Sequence, residues 1–221
     1  MPLELTDLLA GRALAGGVAP ATLPVAVLTM ELQRGVMGDL ATFPELARAA
    51  AQRDIVANTA RLLSACRAAH VAVVHCTAEF RADRAGTVAN TPLHTAVLRR
   101  PEHLLERTPA TELVPQLGAQ VTDYVSARRH GVAPFTGTPL HATLGELGVQ
   151  VLIVTGVSIN LGVLGLCVEA VNLGYQCVVA TDAVAGVPLD YADQVLQNSV
   201  GLVASLNTSA EIVGAIEILT R

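Results

Sequence analysis

The residue best placed to do acid–base chemistry is Glu31, in the sequence Met-Glu-Leu-Gln at residues 30–33. It follows an apolar run, residues 24–30, which predicts a first β-strand. In an open parallel sheet, ligands bind at the carboxyl ends of the strands, so this carboxylate would lie in the ligand crevice. There it could act as a general acid or base. A solvated glutamate paired with Arg34 explains the same position without function, and position alone does not separate the two.

A basic segment, Arg128-Arg129-His130, follows a weaker strand candidate at residues 120–126. Either arginine could hold a substrate carboxylate through two hydrogen bonds, and His130 could transfer protons. A solvated basic loop is the functionless alternative. His75 lies inside a predicted strand, where a histidine is more often part of the core than a ligand. The histidines and acids show no metal-binding spacing, so we expect no metal site.

The third segment, Gly-Val-Ser-Ile-Asn at residues 156–160, lies between a predicted strand and a predicted helix. It is close to the Gly-x-Ser-x-Gly turn that presents the nucleophile of α/β-hydrolases. Those enzymes have their histidine after the serine, whereas the last histidine here is His141. This excludes the serine-hydrolase interpretation. The next helix begins near Gly162, which offers no nucleophilic side chain.

Composition restricts the classes of partner. With 52% hydrophobic and 15% charged residues, the 221-residue chain is typical of one compact α/β domain. A formal charge of −5 disfavours nucleic acid as a partner. Four cysteines without Cys-x-x-Cys spacing indicate buried free thiols in a cytoplasmic protein. We find neither an export signal nor an apolar run long enough to span a membrane.

The elements that must position these residues alternate along the chain. Alternating strands and helices predict a parallel sheet with helices on both faces. We expect an N-terminal arm at residues 1–22 and a single domain at residues 23–221. The predicted strands are 24–30, 71–76, 120–126, 149–154, 177–180 and 202–206. The predicted helices are 46–69, 93–98, 138–147, 161–173, 190–204 and one from residue 209.

Together, the three segments resemble the isochorismatase-like family, also called cysteine hydrolases, over nearly the whole chain from Pro24. The family's Asp-x-Gln motif is similar to Glu31-Leu32-Gln33. In the second motif, a lysine stands six residues before the phenylalanine of a Ser-x-Phe-x-x-Thr loop. Phe135 and Thr138 match this loop, which places Arg129 at the lysine position.

The third family motif, Gly-Val-x-Thr-Asn-x-Cys, opens a helix. Gly156, Val157 and Asn160 match it, and Gly162 stands where the cysteine would be. Further matches follow at Gly174-Tyr175 and Asp182-Ala183.

The resemblance implies a hydrolase whose Asp-Lys-Cys triad is replaced by Glu31, Arg129 and Gly162. Isochorismatases and related vinyl-ether hydrolases carry glycine at the cysteine position and rely on the carboxylate. We therefore expect Glu31 to act as general acid or base, without a covalent cysteine. Arg129 could stabilise charge or hold an anionic group, but it could not exchange a proton. The implied substrate-binding residues are Gln33, His130, Phe135, Val157, Ser158 and Asn160.

The resemblance also implies a three-layer, doubly wound α/β fold with strand order 3-2-1-4-5-6. It implies a non-proline cis peptide near Val157-Ser158, which would present the N–H groups of Ser158 and Gly162 to an anion. No cofactor or metal is required, the partner is a small-molecule substrate, and the assembly is a homodimer or larger homo-oligomer. A catalytically silent homologue that binds a metabolite or serves as a structural subunit is the alternative.

Overall fold

The computed structural model describes residues 4–11 and 23–221. In this part of the chain, six strands form one sheet in the order β3-β2-β1-β4-β5-β6, and all five pairings are parallel. This arrangement confirms the expected strand order. The strands are β1 (Val25–Met30), β2 (Ala72–Ala78), β3 (Tyr124–Arg128), β4 (Val151–Val157), β5 (Gln176–Ala185) and β6 (Ser205–Asn207).

Helices cover both faces of the sheet and produce the three expected layers. One apolar cluster joins the sheet to α1, α4 and α9, and a second joins its other face to α6, α7 and α8. The helices are α1 (Leu5–Leu9), α2 (Arg34–Met37), α3 (Pro44–Gln52), α4 (Ile55–Ala68), α5 (Pro92–Leu98), α6 (Leu140–Glu146), α7 (Leu164–Asn172), α8 (Leu189–Asn198) and α9 (Ser209–Leu219).

The central strands β1 and β4 are buried along their whole length. Successive side chains of a strand point to opposite faces, so Val27 packs in one cluster and Leu28 in the other. A strand covered on both faces needs apolar residues at every position, which explains the continuous apolar runs. Each buried Val, Leu or Ile side chain contributes on the order of 1.5–3 kcal/mol.

Two predicted helices differ from the observed ones. The predicted helix at 46–69 is broken into α3 and α4, because Asp54 has a left-handed backbone (φ 51°) that cannot continue an α-helix. The predicted helix at 190–204 ends at Asn198, and a short 3₁₀ turn (Val200–Leu202) follows. That turn leads directly into β6.

The described part of the predicted arm packs on the domain. Helix α1 lies against α9, and Leu8 and Leu9 are buried in the cluster that these helices share with the sheet. Residues 12–22 lie outside the described residues, so the boundary at residue 22 stays a prediction. Among the described residues, no helix is long and apolar enough to cross a membrane.

Candidate active site

A cavity of about 290 Å³ lies at the carboxyl ends of β1, β3 and β4. Its polar wall contains one carboxylate, Glu31, and one guanidinium, Arg128. The rest of the wall is mainly apolar. The uncharged or apolar lining residues include Val36, Phe43, Leu46, Phe80, His94, Val97, His103, Leu104, Ser158, Asn160, Leu161 and Gly162.

Glu31 is the first residue beyond β1. Its backbone N–H still donates to the Cys76 carbonyl of β2 (2.9 Å), but its backbone is left-handed (φ 51°). Non-glycine residues rarely adopt this conformation, and such outliers cluster at functional sites. The turn leaves the Glu31 side chain 16% exposed, at the cavity wall and in an ion pair with Arg128.

Arg128 is the last residue of β3, and its side chain is only 8% exposed. Its Nε donates to the Gly131 carbonyl oxygen (3.1 Å), and Nη2 donates to Oε1 of Glu31. The remaining nitrogen, Nη1, is buried and has no hydrogen-bond partner among the described residues. Leaving a buried donor unpaired costs about 1–3 kcal/mol or more, so this nitrogen favours a ligand that brings an acceptor.

The structure puts Arg128, and not Arg129, beside Glu31. The Arg129 side chain is 49% exposed, lies 3.7 Å from Glu106 and does not line the cavity. Successive residues of an extended chain point to opposite sides. Ser126 and Arg128 therefore share the buried side of β3, whereas Arg129 points away from it.

Gly162 does line the cavity, in a single π-helical turn (Ile159–Val163) that precedes α7. A Cβ added to Gly162 would lie 3.0 Å from Cε of Met30 and 3.1 Å from the Val157 carbonyl oxygen. The Val157-Ser158 peptide before this turn is cis, as the family resemblance implies. The helix thus begins at the cavity, but without a nucleophile.

Two other predicted binding residues, Ser158 and Asn160, also line the cavity. The side chain of Asn160 is oriented by a long hydrogen bond from Nδ2 to the Val187 carbonyl oxygen (3.4 Å). Its Oδ1 is buried near Gly186 and has no hydrogen-bond partner among residues 4–11 and 23–221. Asn160 therefore has an unpaired buried acceptor, as Arg128 has an unpaired buried donor. Val157 is fully buried at the end of β4 and does not line the cavity.

A sequence profile of the isochorismatase domain matches residues 25–211. The chain belongs to the isochorismatase family. This membership supports a hydrolase that acts on a small metabolite. A curated relative, the uncharacterised isochorismatase family protein YwoC of Bacillus subtilis, is 38% identical over 74 residues, which are 34% of this chain and 39% of the relative. The match thus spans about two fifths of that relative's length.

Solved structures show the same fold over most of the chain. An isochorismatase family protein from Burkholderia thailandensis is 28% identical and covers 89% of this chain and 98% of its own, with a TM-score of 0.73. A cysteine hydrolase from Pseudomonas syringae is 22% identical and covers 88% of this chain and 93% of its own, with a TM-score of 0.75. The second likeness supports the fold alone.

In this isochorismatase-family chain, Gln33 holds the site together from outside the cavity. Its side chain is fully buried. Its amide oxygen accepts from the Ala78 N–H (2.8 Å), and its amide nitrogen donates to the Ala78 carbonyl oxygen (2.9 Å). The same amide donates to the Thr111 carbonyl (2.9 Å). Gln33 therefore joins the ends of β1 and β2 to the loop before β3, which differs from the expected contact with substrate.

Phe135 and His130 also lie outside the cavity wall. Phe135 is buried against Tyr175, with ring centroids 5.8 Å apart, and its N–H donates to Glu169 of α7 (2.9 Å). The His130 ring packs on His94, with centroids 4.7 Å apart. Both residues support the loop between β3 and α6 instead of facing the space where a ligand would bind.

Two histidines of the cavity wall, His94 and His103, were missed by sequence reasoning. Both come from the proline-rich segment between β2 and β3, where neither periodicity nor ligand spacing marks them. Burial lowers the pKa of both imidazoles, and for His103 the neighbouring Arg84 and Arg100 lower the pKa further, to about 4. The pocket thus places two histidines with lowered pKa values beside the Glu31–Arg128 ion pair.

No cysteine lines this cavity, and all four are buried and free. Burial raises the pKa of the Cys76 thiol to about 12. The pKa of Cys167 is also raised, by a hydrogen bond with Cys177 and by burial. Since the thiolate is the nucleophilic form, neither Cys76 nor Cys167 is suited to attack a substrate.

Proposed function

We propose that this chain is a hydrolase of a small metabolite that works without a covalent cysteine, with Glu31 as its acid–base group. The observation that carries the proposal is the Glu31–Arg128 ion pair at the wall of an open cavity, with Nη1 of Arg128 left unpaired. A carboxylate and a guanidinium at the carboxyl ends of parallel strands are positioned to meet a ligand.

The substrate would have one polar end and a mainly apolar body. Nη1 of Arg128 would donate to an oxygen of the ligand, and Oδ1 of Asn160 would accept from an N–H or O–H group. The opposite wall contains Phe43, Phe80 and aliphatic side chains, which would cover the remainder of the ligand. A volume of about 290 Å³ is at the small end for ligand pockets.

In the proposed reaction, water replaces the missing thiol. Glu31 would take a proton from a water molecule as the water oxygen attacks the substrate. It would return this proton to the leaving group when the scissile bond breaks. If the substrate is an enol ether, Glu31 would instead react in its protonated form: it would give its proton to the double bond and take one back from the water that adds. Arg128 keeps its proton and contributes only charge and hydrogen bonds. The N–H groups of Ser158 and Gly162 are proposed as additional donors to developing negative charge.

A screen against amides, ureas and enol ethers tests this function. For a compound that is hydrolysed, we expect Glu31→Gln to lower kcat by roughly 10²–10⁴-fold, which is the usual contribution of a general acid or base. Melting temperature and circular dichroism control for the fold. Unchanged kcat in the variant would remove Glu31 from the chemistry. Binding of several compounds with no turnover of any would favour the silent homologue.

We further propose that the protein is a homo-oligomer. Several apolar side chains are exposed, including Val121, Val125, Leu202 and Ile218. Such surface is consistent with a partner subunit. Sedimentation velocity at micromolar concentration tests this point, and a single monomeric species would contradict it.

A further inference from the structure

Three contacts join the segment 87–94 to consecutive residues of the loop after β3. The Thr87 hydroxyl donates to the Arg129 carbonyl oxygen (2.6 Å), and the Val88 N–H donates to Nδ1 of His130 (3.4 Å). Nε2 of His94 donates to the carbonyl oxygen of the following residue, Gly131 (3.4 Å). The segment thus contacts the backbone or side chain of each of the three residues after Arg128, at positions 129–131.

The Gly131 carbonyl oxygen is shared by two donors. Nε of Arg128 approaches it at 3.1 Å, and Nε2 of His94 approaches it at 3.4 Å. Since a carbonyl oxygen only accepts, the proton of a neutral His94 ring must be on Nε2. Nδ1 is then an acceptor, and the Thr91 hydroxyl, 2.8 Å away, donates to it. The Gly131 carbonyl thus fixes the tautomer of His94, and the Thr91 hydroxyl complements it by donating to Nδ1.

The His94 ring is held in a single place. The ring is nearly completely buried and packs on the His130 ring. His94 stands in the first turn of α5, where its backbone N–H donates to the side-chain oxygen of Thr91 (3.1 Å). Burial also lowers its pKa, which is consistent with a neutral ring. Because both ring nitrogens have partners within the protein, His94 is not available to take a proton from substrate.

We propose that His94 is a positioning residue for Arg128: its imidazole holds the Gly131 carbonyl where that oxygen orients the Arg128 guanidinium. With Nε bound to Gly131 and Nη2 bound to Glu31, the third nitrogen, Nη1, is left for the ligand. The proposal rests on the binding role proposed for Arg128, but not on hydrolysis. Loss of His94 would release the guanidinium and leave Glu31 and Arg128, the two groups proposed to act on the substrate, in place.

Two matched variants separate hydrogen bonding from packing. His94→Phe keeps a ring beside His130 but has no donor for Gly131. His94→Gln loses the ring but offers an amide donor at a similar distance. Hydrogen exchange of the Arg128 Nε–H, followed by nitrogen-15 NMR and assigned with Arg128→Gln, reports directly on the hydrogen bond to Gly131. His70→Asn, at an exposed position, is the control.

We expect the Arg128 Nε–H to exchange about tenfold faster in His94→Phe, because the Gly131 carbonyl that accepts from it loses the hydrogen bond that holds the carbonyl in place. In His94→Gln we expect exchange close to that of the wild type. Equal exchange in His94→Phe and wild type would overturn the proposal, as would equally fast exchange in both variants. If His94→Phe does not fold, Thr91→Val replaces it. That variant removes the partner of Nδ1 and should also accelerate exchange, while unchanged exchange would overturn the proposal.

Kinetics add a second measurement if the screen yields a substrate. His94→Phe should raise KM by about tenfold and lower kcat less, because it disturbs a binding group, and His94→Gln should restore KM. A fall in kcat alone would contradict the positioning role. The exchange experiment stands without any substrate, so failure of the proposed hydrolase and failure of this inference give different results.

Discussion

The side chain of Met30 lies against Gly162, in the turn (Ile159–Val163) that leads into α7. A Cβ on Gly162 would come within 3.0 Å of Cε of Met30, although Met30 belongs to β1 and Gly162 follows β4. Met30 is fully buried. The space where the family resemblance expects the side chain of a cysteine therefore borders a methionine, and adding a side chain at residue 162 requires that methionine to shift.

We predict that Gly162→Ala destabilises the protein by about 1–2 kcal/mol. Alanine is favoured over glycine in a helix by up to about 1 kcal/mol, but overpacking a core costs about 1–3 kcal/mol. In a Met30→Ala background, the same change should cost less, because the methionine is gone and only the contact with the Val157 carbonyl oxygen (3.1 Å) remains. Urea unfolding of the four proteins of this double-mutant cycle measures the coupling. Additive effects would show that Met30 and Gly162 do not compete for space.

Substitution of the two adjacent arginines should have unequal effects. We expect Arg128→Met to weaken binding of any substrate found in the screen by at least about tenfold and to destabilise the fold by roughly 3–5 kcal/mol, since it leaves Glu31 without its partner. Arg129→Met should change stability by no more than about 1 kcal/mol, because its ion pair with Glu106 is largely exposed. Calorimetry measures substrate binding and thermal melting measures stability, for both variants. Equal losses would contradict the assignment of Arg128.

Thiol reagents should leave the native protein unmodified and any activity intact. All four cysteines are buried, and burial raises the pKa of Cys66 and Cys76 to about 12. Iodoacetamide reacts with the thiolate, which is scarce at neutral pH under these conditions. Mass spectrometry before and after unfolding in urea gives the comparison. Rapid labelling of Cys76 or Cys167 in the folded protein, with loss of activity, would make that residue a candidate nucleophile.

Stability should fall as pH drops from about 6.5 to about 4. The pKa of His103 is held at about 4 in the fold, whereas an unfolded histidine titrates near 6.5. In this window the unfolded chain binds a proton that the folded chain does not, so acid favours unfolding. The loss reaches about 3 kcal/mol at about 1.4 kcal/mol per pKa unit.

His103→Phe tests the origin of this slope. It should flatten the pH dependence of the unfolding free energy, while the exposed control His70→Asn should not. Some slope remains in His103→Phe, because burial also lowers the pKa of His75 and His94. A profile identical to wild type would mean that His103 takes up a proton as readily in the fold as in the unfolded chain.

Much of the fold could be predicted from local pattern. The apolar runs of β1 and β4 are typical of strands buried on both faces, and their alternation with helices predicts a parallel sheet. The end of the first strand was also the predicted position of Glu31, and in the structure Glu31 lines the cavity there. The strand order came from the family resemblance, since local periodicity does not state which strands are neighbours.

The sequence alone determined the alternation of strands and helices, and that Glu31 stands at the end of the first strand, because these features depend on neighbours along the chain. It did not locate the break between α3 and α4 at Asp54 or the end of α8 at Asn198. Only the tertiary structure decided between Arg128 and Arg129, whose types and surroundings in the sequence are nearly the same. The choice depends on which residue ends β3 with its side chain on the buried side. Likewise, His94 and Met30 reach the site through contacts between distant segments, and such packing leaves no periodic signal in the chain.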